Sequence, residues 1–482
     1  MPIRRSAAVV DGVGDGVGDG VGDGPATPAR GTVRSALRNR QFRTLWAGSF
    51  ASNIGTWMQN VAIGPYALAL SKSAANPRGS ATFVALVGLA QLGPHLLLSV
   101  VGGVLANRLP RRILIITAQT CQMIAAVILA FLAIHHPTKL GLVLCVLGSG
   151  VANALSQPSF QAMLPELVDR ADMPGVISLN STALNGSRVI GPILLLVLRP
   201  VGVRADTPHG IATIFVINAL TFLFAIAAVA SVSIARTPVR PSDDRRGLRQ
   251  LLAGFSDARR NPVVGRCLLI MVGMSLVALP FISQMPTIAE RNFGIASRSG
   301  VYSALFGTFG FGAMLGSLAQ GTVLAGIDKR RSTRWLLLGF ALALAAFALV
   351  RSPAQAFAAI FVLGFFYFGS TTSILTVVQQ HIGDRERAPI MSLWMMSFGG
   401  TVPLGGYWGG WAMDHWSVSG VMFIGVAMAL VLSVGADLAP RSERMRADGS
   451  LAARVGTSRG APAPGQAYSS SGGHEHTTLR SP

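Results

Sequence analysis

The chain has 482 residues, 51% of them hydrophobic and only 12% charged, and its 40 Lys and Arg against 20 Asp and Glu give a net charge of +20. Soluble domains carry roughly 25% charged residues, so this composition excludes a soluble globular protein and makes the lipid bilayer a partner. The positive charge is spread over both tails and several short connections instead of one groove-sized patch, which excludes nucleic acid.

Residues 1–41 read as a polar, disordered cytoplasmic tail. The tract Asp11–Gly24, DGVGDGVGDGVGDG, places glycine at every second position, which is costly to order, and it lacks the nonapeptide pattern of calcium-binding repeats. The apolar run that begins at Phe42 is too long for a cleavable signal and is retained as a membrane span. From there, windows of about 20 apolar residues, long enough to cross the hydrocarbon core, recur twelve times, near 42–70, 81–106, 112–134, 139–159, 173–199, 210–234, 263–289, 300–326, 333–350, 354–380, 388–413 and 416–438. The expected fold is an all-α membrane protein with twelve transmembrane helices in two six-helix halves. The first half covers 42–234, an Arg-rich cytoplasmic linker 235–262, the second half 263–438, and a second disordered cytoplasmic tail 439–482.

Lys and Arg report the orientation. Thirty of the 40 lie on the two tails and the even-numbered connections, eight on the odd-numbered ones, and Arg188 and Arg266 within spans. Positive charge stays inside, so both termini are expected in the cytoplasm and the protein in the cytoplasmic (inner) membrane. Cys121, Cys145 and Cys267 fall in apolar runs, an odd number without metal-ligand spacing, and read as small buried side chains.

Gly102–Arg112, GGVLANRLPRR, recurs as Gly321–Arg331, GTVLAGIDKRR, and the two strings share the first glycine, Val-Leu-Ala and the closing Arg-Arg. Each copy joins two apolar runs, as a duplicated membrane protein would present the same hairpin twice. Both copies resemble the loop between the second and third spans of major facilitator transporters and its echo between the eighth and ninth. That resemblance makes Gly103, Asn107, Arg108, Arg111 and Arg112, with Lys329, Arg330 and Arg331, candidate gating residues that meet the eleventh span when the cavity faces outward. Asn107 stands where the family has aspartate, and Pro110 where it has a second glycine.

Residues 157–192, QPSFQAMLPELVDRADMPGVISLNSTALNGSRVIGP, are similar to the branch of that superfamily holding enterobactin exporters, macrolide efflux pumps and transmembrane secretion effectors. Leu164, Pro165, Glu166, Leu167, Val168, Leu179, Asn180, Arg188, Gly191 and Pro192 carry the likeness. One departure stands out: Leu195 and Leu196 replace a glycine pair associated with drug–proton antiport, and would limit how closely the fifth span approaches its neighbour. Glycines in the eighth span (Gly307, Gly310, Gly312, Gly316) and eleventh (Gly399, Gly400, Gly405, Gly406, Gly409, Gly410) let helix backbones approach and slide.

No phosphate loop, nucleophile elbow or paired metal-ligand histidine occurs, so an enzyme is not expected, and neither a cofactor nor a metal. The resemblance implies a monomeric secondary transporter, working by alternating access on a small-molecule substrate and driven by a proton or other ion gradient. The substrate is expected to be small, partly hydrophobic and possibly anionic, of siderophore, antibiotic or drug type, and exported. Uptake of a small metabolite, or a non-transporting scaffold or receptor, remain open. None of the 20 acids lies in mid-span, which leaves Glu290 and Asp414, near span ends, as candidates for proton coupling. Arg188 falls near mid-bilayer, where an arginine facing lipid costs about 2.5–3.5 kcal/mol. It is therefore expected to face a central cavity among neutral acceptors such as Asn53, Gln59, Asn60, Asn153, Asn185 or Asn218, or backbone carbonyls freed around Pro192. Gly191 and Pro192 complete the fifth-span motif.

Overall fold

A computed structural model describes residues 32–232, 254–324 and 326–436, and among them the regular structure is helical, without strands. The helices, numbered here by ordinal, are Arg40–Ser71, Ala81–Arg108, Arg111–His135, Lys139–Leu167, Met173–Val197 and Pro208–Ser231, then 262–293, Gly300–Gly321, Lys329–Leu349, Pro353–Gln380, 384–415 and Val418–Gly435. Their starts are written in the sequence. Each even-numbered helix opens on a Ser or Thr whose side chain accepts from a backbone N–H one turn in: Ser80, Thr138, Thr207, Ser299, Ser352 and Ser417. Such caps satisfy donors that a helix start leaves unpaired.

Two segments differ from the sequence reading. Val33–Arg38, inside the stretch expected to be tail, is a helix capped by Thr32, and next to it Asn39 donates to the Leu167 carbonyl. Residues 254–260, inside the expected linker, form another helix, bent by 115° from the seventh. Disorder expected at 1–31, in the rest of the linker and beyond 436 lies outside the described residues.

Seven of the described helices are long and apolar enough to cross a membrane, or eight if the bent pair 254–260 and 262–278 is one span. Those that miss the test are the first, second, fifth, seventh and eleventh, the second counting only as a shorter apolar helix over Ala81–Leu96. The first and fifth carry polar side chains, such as Gln59 and Arg188. The seventh and eleventh are interrupted by wide π turns at Met274–Ala278 and Met396–Gly400. Such turns free backbone groups and often mark functional positions.

The two halves repeat each other in contact pattern. Helix pairs 2–4, 3–4, 3–6 and 1–6 in the first half correspond to 8–10, 9–10, 9–12 and 7–12 in the second. The halves meet along 5–8 and 2–11, which are also related by a shift of six. Helices in lipid gain little from burying apolar surface and associate through close van der Waals packing, so the tight crossings fall at glycines. A Cβ on Gly102 would stand 2.9 Å from the Ala154 carbonyl oxygen at the 2–4 crossing, and one on Gly312 or Gly316 would collide with the Phe361 or Phe365 carbonyl at 8–10. Gly316→Ala is therefore expected to lower stability by about 1–3 kcal/mol through forced separation of helices 8 and 10. Thermal unfolding in detergent checks this, with Gly321→Ala, whose Cβ meets nothing within 4 Å, as the unaffected comparison.

Candidate functional site

Between the halves lies a cavity of about 630 Å³ lined by both. Trp57, His95 and Arg188 come from the first half, and Phe306, Phe309, Tyr367, Phe368 and Phe398 from the second. Arg188 is the one permanent charge among the lining residues, which include no carboxylate. Its guanidinium lies 4.9 Å from the Phe368 ring centre and 5.4 Å from that of Trp57. Its buried Nε has no hydrogen-bond partner among the described residues. The expectation of amide acceptors around Arg188 is thus corrected: aromatic faces surround it, and their negative quadrupoles attract the cation without neutralising it.

The backbone explains why Arg188 sits there. One turn later, a Cβ on Gly191 would stand 2.7 Å from Trp57 Cβ and 2.9 Å from Met58 N, so only glycine lets the fifth helix lie this close to the first. On its other side the fifth helix meets the eighth, where a Cβ on Gly310 would be 3.0 Å from the Arg188 carbonyl oxygen and one on Gly307 3.6 Å from Pro192. Leu195 is buried and Leu196 largely exposed, facing Gly300. At this crossing the close approach is permitted by Gly310 of the eighth helix, while Leu196 packs toward Gly300 at the start of that helix.

The amide side chains brace helices. Gln59 accepts from Asn218 (2.8 Å), tying helices 1 and 6, and Asn60 accepts from Gln91 (2.6 Å), tying helices 1 and 2. Asn153 meets His95 Nε2 at 3.0 Å, so it supports a cavity-lining residue, while Asn185 donates to Ser181 on its own helix. Neither these nor Asn53 line the cavity. His95 was missed by the sequence reading, which looked for carboxylates; a histidine inside an apolar span was the available signal. Its Nδ1 is buried without a partner among the described residues.

At the end of the bundle that carries the odd-numbered connections, side chains close the cavity. Asp414, one residue past the apolar run of the eleventh helix, caps the second. It accepts from Thr82 N (2.8 Å), Ala81 N (3.0 Å), Ser80 Oγ (2.9 Å) and Thr82 Oγ1 (2.8 Å), and pairs with Arg291 (2.8 Å). Burial pushes its pKa up, but the Thr82 amide, the Arg291 guanidinium and the Ala81 amide outweigh burial and hold the carboxyl at about 2. Arg291 also donates to the Gly79 carbonyl (2.8 Å), and Lys72 pairs with Glu290 across the halves (2.8 Å). Gln284, freed where the seventh helix breaks before Pro286, donates to the Ala81 carbonyl (3.1 Å).

The candidate gating residues sit at the opposite end. Arg111 bonds the Ala162 carbonyl (2.9 Å) and Glu166, and Arg112 bonds the Ala230 carbonyl, all within the first half. Lys329 donates to the Gln320 carbonyl (2.8 Å) and Arg330 meets His381 (2.7 Å), within the second half, while Arg331 is exposed. The surroundings of Gly103 and the side chains of Asn107 and Arg108 lie outside the described residues.

Two pseudo-symmetric helical bundles around a shared cavity define a multi-pass membrane protein of the major facilitator class. The fold matches a bacterial homologue of the human lysosomal transporter Spinster in an inward-facing, unoccupied conformation, at 15% identity and a TM-score of 0.65 over 83% of this chain and 96% of that one. A bacterial homologue of the iron transporter ferroportin in an inward-facing state gives 14% identity and a TM-score of 0.64, over 82% and 98%. The family model described as transmembrane secretion effector matches residues 32–454, and the chain belongs to that family of major facilitator transporters. It is similar to the staphyloferrin A transporter of Staphylococcus aureus, 24% identical over 368 residues, or 75% of this chain and 86% of that protein. It is also similar to the enterobactin exporter EntS of Escherichia coli, 25% identical over 297 residues, or 61% and 68%. The chain is a membrane transporter and not an enzyme.

Proposed function

We propose that the protein is a monomeric secondary transporter that exports a small, partly hydrophobic anion across the cytoplasmic membrane by alternating access. The observation that carries this reading is Arg188, a fixed cation between Trp57 and Phe368 in a cavity with no carboxylate. Such a cavity favours acceptor-rich or anionic solutes with flat apolar parts and disfavours cations. Two relatives named for siderophores, one an exporter, support a solute of that kind and the outward direction. With the Arg-rich tails and even-numbered connections in the cytoplasm, the ion-paired end faces outside, and the cavity stands ready to load from within. On this reading Arg111 and Arg112 rest on their own half here, and engage the eleventh helix after the cavity has turned outward.

Protons are the proposed counter-ion, with Glu290 and Asp414 as the coupling groups. Both join the halves at the closed end, so a proton taken up after that end opens would remove the charge that re-forms it and hold the end open. Asp414, held at about 2, stays ionised at neutral pH in this state, and loads only once the end has opened.

The test uses inside-out vesicles given an imposed pH gradient. Anionic siderophore-type solutes should accumulate and a cationic dye should not; accumulation of the dye alone would overturn the reading. Persistent accumulation by the Glu290→Gln, Asp414→Asn double variant would place coupling elsewhere. For orientation, single cysteines in 235–261 should be shielded from an impermeant thiol reagent in intact cells while one near Lys72 reacts, and the reverse pattern would invert the topology.

A further inference from the structure

A second cavity, of about 580 Å³, lies at the end of the bundle opposite the Asp414 cap, on the seam between the halves. Leu96 of the second helix forms one wall. Leu268, Leu269 and Val272 of the seventh and Met396 of the eleventh form the others; Arg266, which has an interaction of its own, and Ser397 and Thr401 also reach the lining, and the short helix 254–260 borders the cavity through Phe255, Ala258 and Arg259. That helix is fixed against the bundle at two close approaches. A Cβ on Gly265 would stand 2.7 Å from the Ala258 carbonyl oxygen, and one on Gly254 2.8 Å from that of Pro389. Gly254 and Ala258, one turn apart, are buried, while Phe255, Ser256, Arg259 and Arg260 are exposed. The helix is bent by 115° from the span that follows, so it lies across the bundle axis, as an amphipathic helix lies in the plane of a membrane surface.

Leu269 is 70% exposed and Phe255 54%, so the groove opens sideways, toward the position of lipid. Arg259 and Arg260 form no ion pair or hydrogen bond among the described residues; the nearest acid on the same helix is Asp257, half-buried on its inner side. Cations without an acidic partner among the described residues, beside a largely apolar groove, complement a molecule with a negative head and a hydrocarbon tail. We infer that this seam is a binding site for an anionic phospholipid, its phosphate on Arg259 and Arg260 and an acyl chain along Leu96, Leu269 and Val272. Because Leu96 belongs to one half and the other wall residues to the second, the lipid bridges surfaces that move relative to each other during alternating access. The inference holds whichever solute the central cavity carries.

The test is a titration of the purified full chain in detergent with dioleoylphosphatidylglycerol or dioleoylphosphatidylcholine, read as bound lipid by intact-complex mass spectrometry. The anionic lipid should bind about tenfold or more tightly than the zwitterionic one, given two basic residues at the surface. Arg259→Gln with Arg260→Gln should bring the two lipids within about twofold of each other. Arg259→Lys with Arg260→Lys should keep the preference, and Arg331→Gln, exposed but away from the groove, should leave it unchanged. Leu269→Trp, which fills the groove, should weaken both lipids alike. Equal binding of the two lipids to the unaltered chain, or an undiminished preference in the Gln double variant, would overturn the inference.

Discussion

Arg188→Gln is expected to reduce transport of anionic solutes by about tenfold to a hundredfold, the loss of one charge-assisted contact worth about 1.5–3 kcal/mol. Uncharged solutes should be much less affected. The difference arises because no other permanent charge lines the cavity among the described residues. Arg188→Lys should retain part of the activity, since an ammonium supplies the charge but not a flat guanidinium that stacks on Trp57 and Phe368. Phe368→Leu should lie between, keeping the charge but loosening its position. Initial rates in vesicles with matched anionic and neutral solutes measure the split. Equal loss for every solute, together with a fall in thermal stability, would reduce Arg188 to a brace between the fifth helix and its neighbours.

The architecture was legible because its signals are local or repeated. The apolar runs recur at spanning length, and the duplicated hairpin announces the two halves that the 5–8 and 2–11 contacts then join. The importance of Arg188 was legible from energy alone, since a charge at mid-span must be sheltered. Its partners were not. The sequence offers amides and aromatics at many helical positions, and only the close approach at Gly191 decides that Trp57, not Gln59 or Asn60, faces the guanidinium. Gln59 and Asn218 instead satisfy each other, which buried amides must do wherever a partner is in reach.

The closed end was the least legible region. Asp414 and Glu290 look like solvated helix ends in sequence, because nothing within ten residues of Asp414 announces Ser80 or Thr82, more than 300 positions away. The helix-2 amides that Asp414 accepts from are orphan donors in any helix start. Which acid reaches them is a property of how the halves meet. The short helix 254–260 was hidden for a related reason: seven residues carry too little periodicity to register, and only packing at Gly254 and Gly265 fixes it.

Asp414→Asn should open the closed end. Asparagine keeps the size but has one acceptor oxygen, so it can accept from the Thr82 amide or the Ala81 amide, which bond different oxygens of Asp414, and not from both; it also loses the charge that faces Arg291 and the positive end of the second helix. A partly buried carboxylate in that position is worth about 1–2 kcal/mol, so the closed state should lose about fivefold to thirtyfold in relative population. Glu290→Gln should do less, because the Lys72–Glu290 pair is more exposed, at 38% and 21% against 16% and 18% for Arg291–Asp414, and exposed pairs contribute about 0–1 kcal/mol. The readout is the labelling rate of Ile282→Cys, a cavity position, by an impermeant thiol reagent in a background with Cys121 and Cys145 replaced by serine. Labelling from the Asp414 side should rise about fivefold or more in Asp414→Asn, and an unchanged rate would show that the cap does not hold the end shut. Because the folded pKa is depressed to about 2, the stabilisation from Asp414 is complete above the ordinary carboxylate value of about 4 and fades only as pH falls toward 2. Labelling of the otherwise unaltered cysteine variant, divided by that of a free thiol at the same pH to remove the change in thiolate fraction, should therefore be flat between about pH 5 and 8, and a step within that range would assign the closure to a group other than Asp414.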